Sequence, residues 1–217
     1  GAWLSCPDLS LHQNACGEAR FYGGAYKPAS NCRKILEMGQ ADMGGMTRAL
    51  MSDPEMPLKA GCGDLEDIRA CVACNQACIG HMLQACPISC IQRPETGREL
   101  QYANLSKAPS RKRILVAGGG PAGLKAASIA ARRGHEVILC EKSNSLGGQI
   151  NLAQSLPGRA EFGGITSNLQ KELSKTTARL HLNCFVNLDV IENIAPDVVI
   201  SATGATPYMA QIDGADE

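Results

Sequence analysis

The sequence carries no net charge: 21 basic and 21 acidic side chains cancel across 217 residues. A neutral chain offers no electrostatic footprint for nucleic acid or an anionic membrane surface, so neither partner is expected. Also missing is an uninterrupted apolar run of about 18 residues, the minimum for a spanning helix. The best stretch, 117–133, is broken by Lys125 and closes on Arg132 and Arg133. The opening residues, GAWLSCPDLSLHQ, have neither the basic start nor the continuous apolar core of a secretory signal. The chain begins with Gly1 rather than Met, which fits a processed product or a fragment. Cysteine falls short of the density of disulfide scaffolds, and its count of eleven is odd, so complete pairing within one chain is excluded. The thiols are therefore expected to be free or ligating, in a reducing, cytoplasmic compartment.

Three textures follow one another along the chain. Residues 1–60 contain the glycine pairs Gly23-Gly24 and Gly44-Gly45 around SNCRKILEMG (30–39). That stretch reads as a helix with Ser30 or Asn31 as cap and Gly39 as stop, part of an α/β unit. Residues 61–110 hold the dense cysteines and run into QYANLSKAPSRKR (101–113), a polar, proline-interrupted, basic connector. From 111 to 217 apolar strands and amphipathic helices alternate: RILVAG, PAGLKAASIAARRG, EVILCE, EFGGITSNLQKELSKT, RLHLNCF and DVVISATG. Alternation of this kind predicts an α/β domain with a mainly parallel sheet covered on its faces. No internal repeat or low-complexity tract interrupts the pattern.

The segment CVACNQACIGHMLQACPISC, residues 71–90, packs five of the eleven cysteines into one short stretch. Cys71, Cys74 and Cys78 form a tight triplet, and Cys90 follows after a longer interval that also contains Cys86. Structural zinc more often shows two separated pairs, or histidines at set spacing. A dense triplet with a distant fourth thiol suits a cubane iron-sulfur cluster, in which each thiolate takes one iron corner. Thiolates suit either metal, so zinc and unligated buried thiols remain the alternatives. His81 reads as a packing or surface residue, and Cys86 competes with Cys90 for the fourth place.

VAGGGPAGL sets Gly118, Gly120 and Gly123 at G-x-G-x-x-G spacing between an apolar strand and a helix. In that context the first glycine allows the tight turn, the second admits a pyrophosphate, and the third permits close helix-to-strand contact. The helix N-terminus presents amide protons to the phosphates. Glu141 ends the next strand, where its carboxylate can accept the ribose hydroxyls. Lys142 beside it reads as a solvated side chain rather than a clamp for a 2′-phosphate.

The C-x-x-C-N-Q-x-C motif, followed by GGGPAG, then LGGQ at 146–149 and ATG at 202–204, resembles the flavin and iron-sulfur oxidoreductases of the 2,4-dienoyl-CoA reductase and trimethylamine dehydrogenase family. Such enzymes join an FMN-binding TIM barrel to a [4Fe-4S] cluster and a C-terminal pair of domains for FAD (or only ADP) and a nicotinamide nucleotide. The resemblance makes Cys71, Cys74, Cys78 and Cys90 the cluster ligands. It places Gly118, Gly120, Gly123 and Glu141 at the adenine dinucleotide, Gly147, Gly148 and Gln149 along the flavin, and Thr203 and Gly204 near the pyrophosphate. ADMGGMTRALMSDPEMP (41–57) resembles the last barrel strand and its phosphate loop. On that match the backbone of Gly45 to Thr47, with Arg48, holds the FMN phosphate, and Gly24 closes the site. Taken without the family, the same stretch reads as an ordinary helix entry capped near Ser52 or Asp53.

The expected architecture is thus a C-terminal remnant of a TIM barrel over 1–60, a cluster segment over 61–110 and an incomplete Rossmann-like FAD/NAD(P)-binding domain over 111–217. Only 70 residues precede Cys71, whereas a TIM barrel takes about 250, so a fragment or truncated product is expected. Residues 1–22 match nothing in the family, and Arg93 stands where the family has Asn before the proline. The implied activity is reduction of an enoyl or dienoyl C=C bond, with electrons passing from NAD(P)H through FAD and the cluster to FMN. Oxidative demethylation or dehydrogenation of a methylated amine is the alternative. So is a non-catalytic electron-transfer or nucleotide-binding subunit, as a homo-oligomer or docked on a partner barrel. No residue is nominated as a catalytic proton donor.

Overall fold

The computed structural model describes residues 10–12, 21–23, 29–102 and 104–205. The chain divides between Leu105 and Ser106 into two compact units. The division precedes the basic part of the connector because Lys107 Nζ donates to the Arg132 carbonyl at 3.0 Å and the Ala108 N–H to Arg133 at 2.9 Å. Among the described residues no helix is long and apolar enough to cross a membrane.

In the first unit, β1 (Ser10–His12) pairs antiparallel with β2 (Phe21–Gly23), which pairs parallel with β3 (Met43–Gly45). The crossover between the parallel strands is α1 (Ala29–Glu37). This helix starts earlier than its capping residues imply, so Ser30 and Asn31 lie within its first turn. Gly39 stops it in the left-handed region at φ +63°. Three short helices follow, α2 (Thr47–Ser52), α3 (Met56–Cys62) and α4 (Ile79–Leu83), and α5 (Glu99–Tyr102) comes last. Proline sits in the first turn of α3, where its missing N–H has no intrahelical partner to lose.

The second unit is a four-stranded parallel sheet. Its elements are β4 (Arg113–Ala117), α6 (Pro121–Arg132), β5 (Glu136–Cys140), α7 (Gln149–Gln154), α8 (Gly163–Ser174), β6 (Arg179–His181), α9 (Leu188–Ile194) and β7 (Val198–Ser201). The strand order is β6-β5-β4-β7, so the chain reverses direction across the sheet between β4 and β7. Leu115, Val116 and Leu139 are fully buried, as uninterrupted apolar runs in central parallel strands require. One side of the core is supplied by Leu124 and Ala127 of α6 and by Ile165, Leu169 and Leu173 of α8. Ile191 and Ile194 of α9 pack with Cys184 and Val186 against Leu115, Ile138 and Cys140. Strand β6 is only three residues long. After it the Asn183 N–H turns to the Ser143 carbonyl at 3.0 Å and the Cys184 N–H to Glu141 at 2.9 Å, which ends the ladder.

Candidate functional site

Cys71, Cys74, Cys78 and Cys90 line one cavity in the first unit, together with Arg48 and Asn75. The chain reaches that arrangement through local contortion. Ala73 (φ +52°) and Asn75 (φ +55°), on either side of Cys74, both occupy the left-handed region. A non-glycine residue there is strained by about 1–2 kcal/mol, and such strain is held only where surrounding contacts enforce it. Those contacts are present. The Ser89 N–H donates to the Ala77 carbonyl at 2.7 Å, which sets Cys90 beside Cys78. The buried Gln92 donates through Nε2 to the Ala70 carbonyl at 2.8 Å, closing the segment just outside its first and last ligand positions.

Helix α2 supplies the platform. Asp53, 3% exposed, accepts the Arg69 N–H at 2.9 Å, Lys59 Nζ at 2.8 Å and the Glu55 N–H at 3.1 Å. Thr96 Oγ1 donates to the Met51 carbonyl at 2.9 Å. The cysteine segment is therefore held at both ends by residues 51–53. Asn75 belongs to the C-x-x-C-N-Q-x-C motif, whereas Asp53, Gln92 and Thr96 carry no motif that marks them. The only signals were the acid before Pro54 and the polar residue just past Cys90.

Burial raises the Cys71 thiol pKa, which the Ala73 N–H (3.4 Å from Sγ) and the Arg48 charge oppose and the Cys90 and Cys78 thiols reinforce. Cys74 is raised in the same way by burial, against the Gln76 N–H, with Cys78, Cys71 and Cys90 adding to the rise. A cationic iron-sulfur core would supply the countercharge that Cys71 and Cys74 lack as thiolates in this cavity. Among the described residues no three His, Cys, Asp or Glu side chains converge as on a single metal ion. Cys86 is exposed, points its Sγ at the Gln84 carbonyl and does not line the cavity. His81 Nδ1 bonds the Pro87 carbonyl at 3.0 Å and braces that turn.

Of the residues expected at a flavin phosphate, Gly24 lies outside the described residues. Gly45 ends β3, and Thr47 opens α2. Arg48 Nη1 donates to Asn75 Oδ1, so its guanidinium is directed at the cysteine cavity.

In the second unit, the expected nucleotide residues gather at the carboxyl ends of β4, β5 and β7, where the strand order reverses. Ligands of open α/β sheets bind in such a crevice. Gly118 has φ +111°, and a Cβ there would stand 2.3 Å from the Ala202 carbonyl oxygen. A Cβ on Gly123 would stand 1.8 Å from the Gly118 oxygen. Only glycine fits either place. A Cβ on Gly120 meets nothing within 4 Å: this residue, the N-cap of α6, borders open space in front of the helix N-terminus. Gly147 N–H bonds the Gly119 carbonyl at 2.9 Å, bringing the LGGQ loop to the turn. Gly148 caps α7, and Gln149 Nε2 donates to the Ala205 carbonyl. Thr203 and Gly204 follow β7, with the Thr203 nitrogen 3.2 Å from the Cβ position of Gly118.

Glu141 is buried at the end of β5, its Oε2 accepting the Gly119 N–H at 2.6 Å and its Oε1 the Ser143 N–H at 2.8 Å. Burial alone would raise its pKa. The Ser143 and Gly119 N–H bonds, the Ser143 hydroxyl and the Lys142 charge outweigh it and hold the carboxyl below its ordinary range. Each carboxylate oxygen keeps a second lone pair for an incoming hydroxyl.

Residues 113–205, which contain this entire crevice, match the family model of FAD dependent oxidoreductases. The chain is 39% identical to an NADH oxidase of Thermoanaerobacter brockii over 89% of its own length and 30% of that protein's. The chain belongs to the NADH:flavin oxidoreductase family. Another member, the N,N-dimethylglycine/sarcosine dehydrogenase of Chromohalobacter salexigens, is 39% identical over 86% of this chain and 27% of that one. The solved 2-naphthoyl-CoA reductase in complex with 2-naphthoyl-CoA superposes with a TM-score of 0.77 at 35% identity, covering 84% of this chain and 28% of its own. The chain spans about three tenths of the length of the curated relatives it matches.

Proposed function

We propose that this chain carries the cluster and dinucleotide portion of a flavin- and [4Fe-4S]-dependent oxidoreductase. In the complete enzyme, electrons pass from NAD(P)H through FAD and the cluster to FMN, and an enoyl or dienoyl C=C bond is reduced. The observation that carries this reading is the single cavity lined by Cys71, Cys74, Cys78 and Cys90, in a chain that also holds the glycine crevice. When bound, the flavin nucleotide accepts a hydride and the cluster relays single electrons, which splits a two-electron donor into one-electron steps.

The residues of this chain bind and orient. The four thiolates hold the cluster, with the Ala73 and Gln76 N–H groups and the Arg48 guanidinium stabilising charge on sulfur. In the second unit, read as Rossmann-like from its strand order, the turn at Gly118 and Gly120 and the α6 N-terminus take the pyrophosphate of FAD or ADP. Glu141 orients the ribose, Gly148 and Gln149 lie along the ligand, and Thr203 and Gly204 close the far side. The parallel pair β2 and β3 is read as the end of a TIM barrel, with Gly24, Gly45 and Thr47 at the FMN phosphate. No residue here is assigned to protonate substrate.

The 2-naphthoyl-CoA reductase likeness favours reduction of a CoA thioester, and the dimethylglycine/sarcosine dehydrogenase favours the second reading, oxidation of a methylated amine. The test is an anaerobic visible spectrum of the purified chain, before and after reconstitution with iron and sulfide. A broad absorption that bleaches with dithionite supports the relay. A protein that stays colourless and carries one zinc overturns it.

A further inference from the structure

Two thiols outside the cysteine cavity meet in the second unit. Cys140 ends β5, is 1% exposed and belongs to the core with Leu115 and Ile138. Cys184, partly exposed, packs against that same cluster from the turn after β6. The Cys184 side chain thus lies against the same small cluster that contains the Cys140 thiol. The backbone fixes them in this relation from both sides: the Glu141 N–H donates to the His181 carbonyl and the Cys184 N–H to the Glu141 carbonyl, each at 2.9 Å. Glu141, the residue after Cys140, is thus tied through both its N–H and its carbonyl to the turn that carries Cys184, and Cys140 itself is in register with His181.

We infer that Cys140 and Cys184 form a redox modification site, a dithiol that a small-molecule disulfide of the glutathione class converts to an intramolecular disulfide. Nothing in the cluster or nucleotide reading uses either thiol. The exposures set the order of events. Cys184, the thiol that solvent reaches, attacks the oxidant's S–S bond as thiolate, forming a mixed disulfide and expelling one small thiolate. Cys140 then loses its proton and attacks the Cys184 sulfur, expelling the second. Two protein thiols are oxidised and one small disulfide is reduced to two thiols, so atoms and electrons balance. Burial first, and then the neighbouring Cys184, push the Cys140 thiol up to about 12. Cys140 is therefore a poor first nucleophile and a resolving thiol only once its partner is already bonded. The product staples the 181–184 turn to the strand end that carries Glu141 and closes a loop of several tens of residues, which restricts the unfolded chain.

The experiment treats the full, cluster-loaded chain anaerobically with glutathione disulfide and maps cysteine linkages by peptide mass spectrometry. Exposed Cys62 and Cys86 serve as the control that the reagent has acted. The expected result is a peptide joining Cys140 to Cys184, reversed by dithiothreitol, with a thermal midpoint raised by several degrees. Cys184→Ser is expected to lose both the cross-link and the shift while keeping its iron. A lasting mixed disulfide on Cys184 with Cys140 free overturns the inference. So does the absence of reaction at both once Cys62 and Cys86 are modified. Neither result bears on the cluster, whose failure would be read from iron content instead.

Discussion

Gln92 donates its side-chain amide to the Ala70 carbonyl at 2.8 Å, joining the residue before the first cavity thiol to the second residue after the last. The same Nε2 stands 3.3 Å from Ser52 Oγ, so one buried amide ties both ends of the cysteine segment to helix α2. Replacing it with Ala leaves the Ala70 carbonyl unpaired beside a new void. Gln92→Ala is expected to destabilise the first unit by about 1–3 kcal/mol. Chemical denaturation followed by circular dichroism measures it, and iron release should quicken in parallel.

Asp53 carries more. It accepts Lys59, the Arg69 N–H and the Glu55 N–H in a nearly dry position. Removing one partner of a buried pair leaves the other uncompensated, which typically costs about 3–5 kcal/mol. Asp53→Ala is expected to lose the folded first unit, seen as proteolysis between residues 53 and 69. Lys59→Met, which keeps the carboxylate and its two N–H donors, is expected to be milder.

These two contacts show where sequence reading stops. The glycine turn was legible because its whole logic lies within a short stretch: an apolar run, three glycines at fixed spacing, a helix, then an acid at the next strand end. The third strand was legible only in part. RLHLNCF keeps the apolar alternation of a strand, but Asn183 and Cys184 bond Ser143 and Glu141 and end β6 at His181. Asp53–Arg69 and Gln92–Ala70 span 16 and 22 positions and follow no period, so they arise only from packing. Arg48 illustrates the same limit. The family resemblance set it at a flavin phosphate, and no pattern in the sequence announced that its guanidinium bonds Asn75 at the cysteine cavity.

The glycines divide into structural and ligand-facing positions, and substitution separates them. Gly123→Ala drives a methyl into the Gly118 carbonyl, 1.8 Å away, and is expected to prevent the second unit from folding. Gly120→Ala enters open space at an ordinary backbone conformation. It is expected to leave the thermal midpoint within a few degrees while weakening ADP binding about tenfold or more, since the methyl occupies the pyrophosphate's place. Calorimetric titration with ADP checks it.

Glu141 links stability to acid. Its folded pKa lies below the unfolded value, so its contribution is fully present above the unfolded pKa, about 4.3. It is lost progressively as pH falls below that value and through the folded pKa. Glu141→Gln offers an amide N–H where one backbone N–H expects an acceptor, and is expected to cost about 1–3 kcal/mol at neutral pH. The gap between wild type and variant is expected to narrow as pH drops into the carboxylate range, measured by denaturation at a series of pH values.

In the function proposed above, Cys71, Cys74, Cys78 and Cys90 together hold an iron-sulfur cluster and Cys86 does not. The most direct measurement is iron and acid-labile sulfide per chain after anaerobic reconstitution, made on wild type, Cys86→Ala and Cys90→Ala in parallel. About four irons are expected in wild type and Cys86→Ala, one for each cluster corner, and a marked loss in Cys90→Ala. Loss in Cys86→Ala with retention in Cys90→Ala, or a wild type that takes up zinc and no iron, would contradict it.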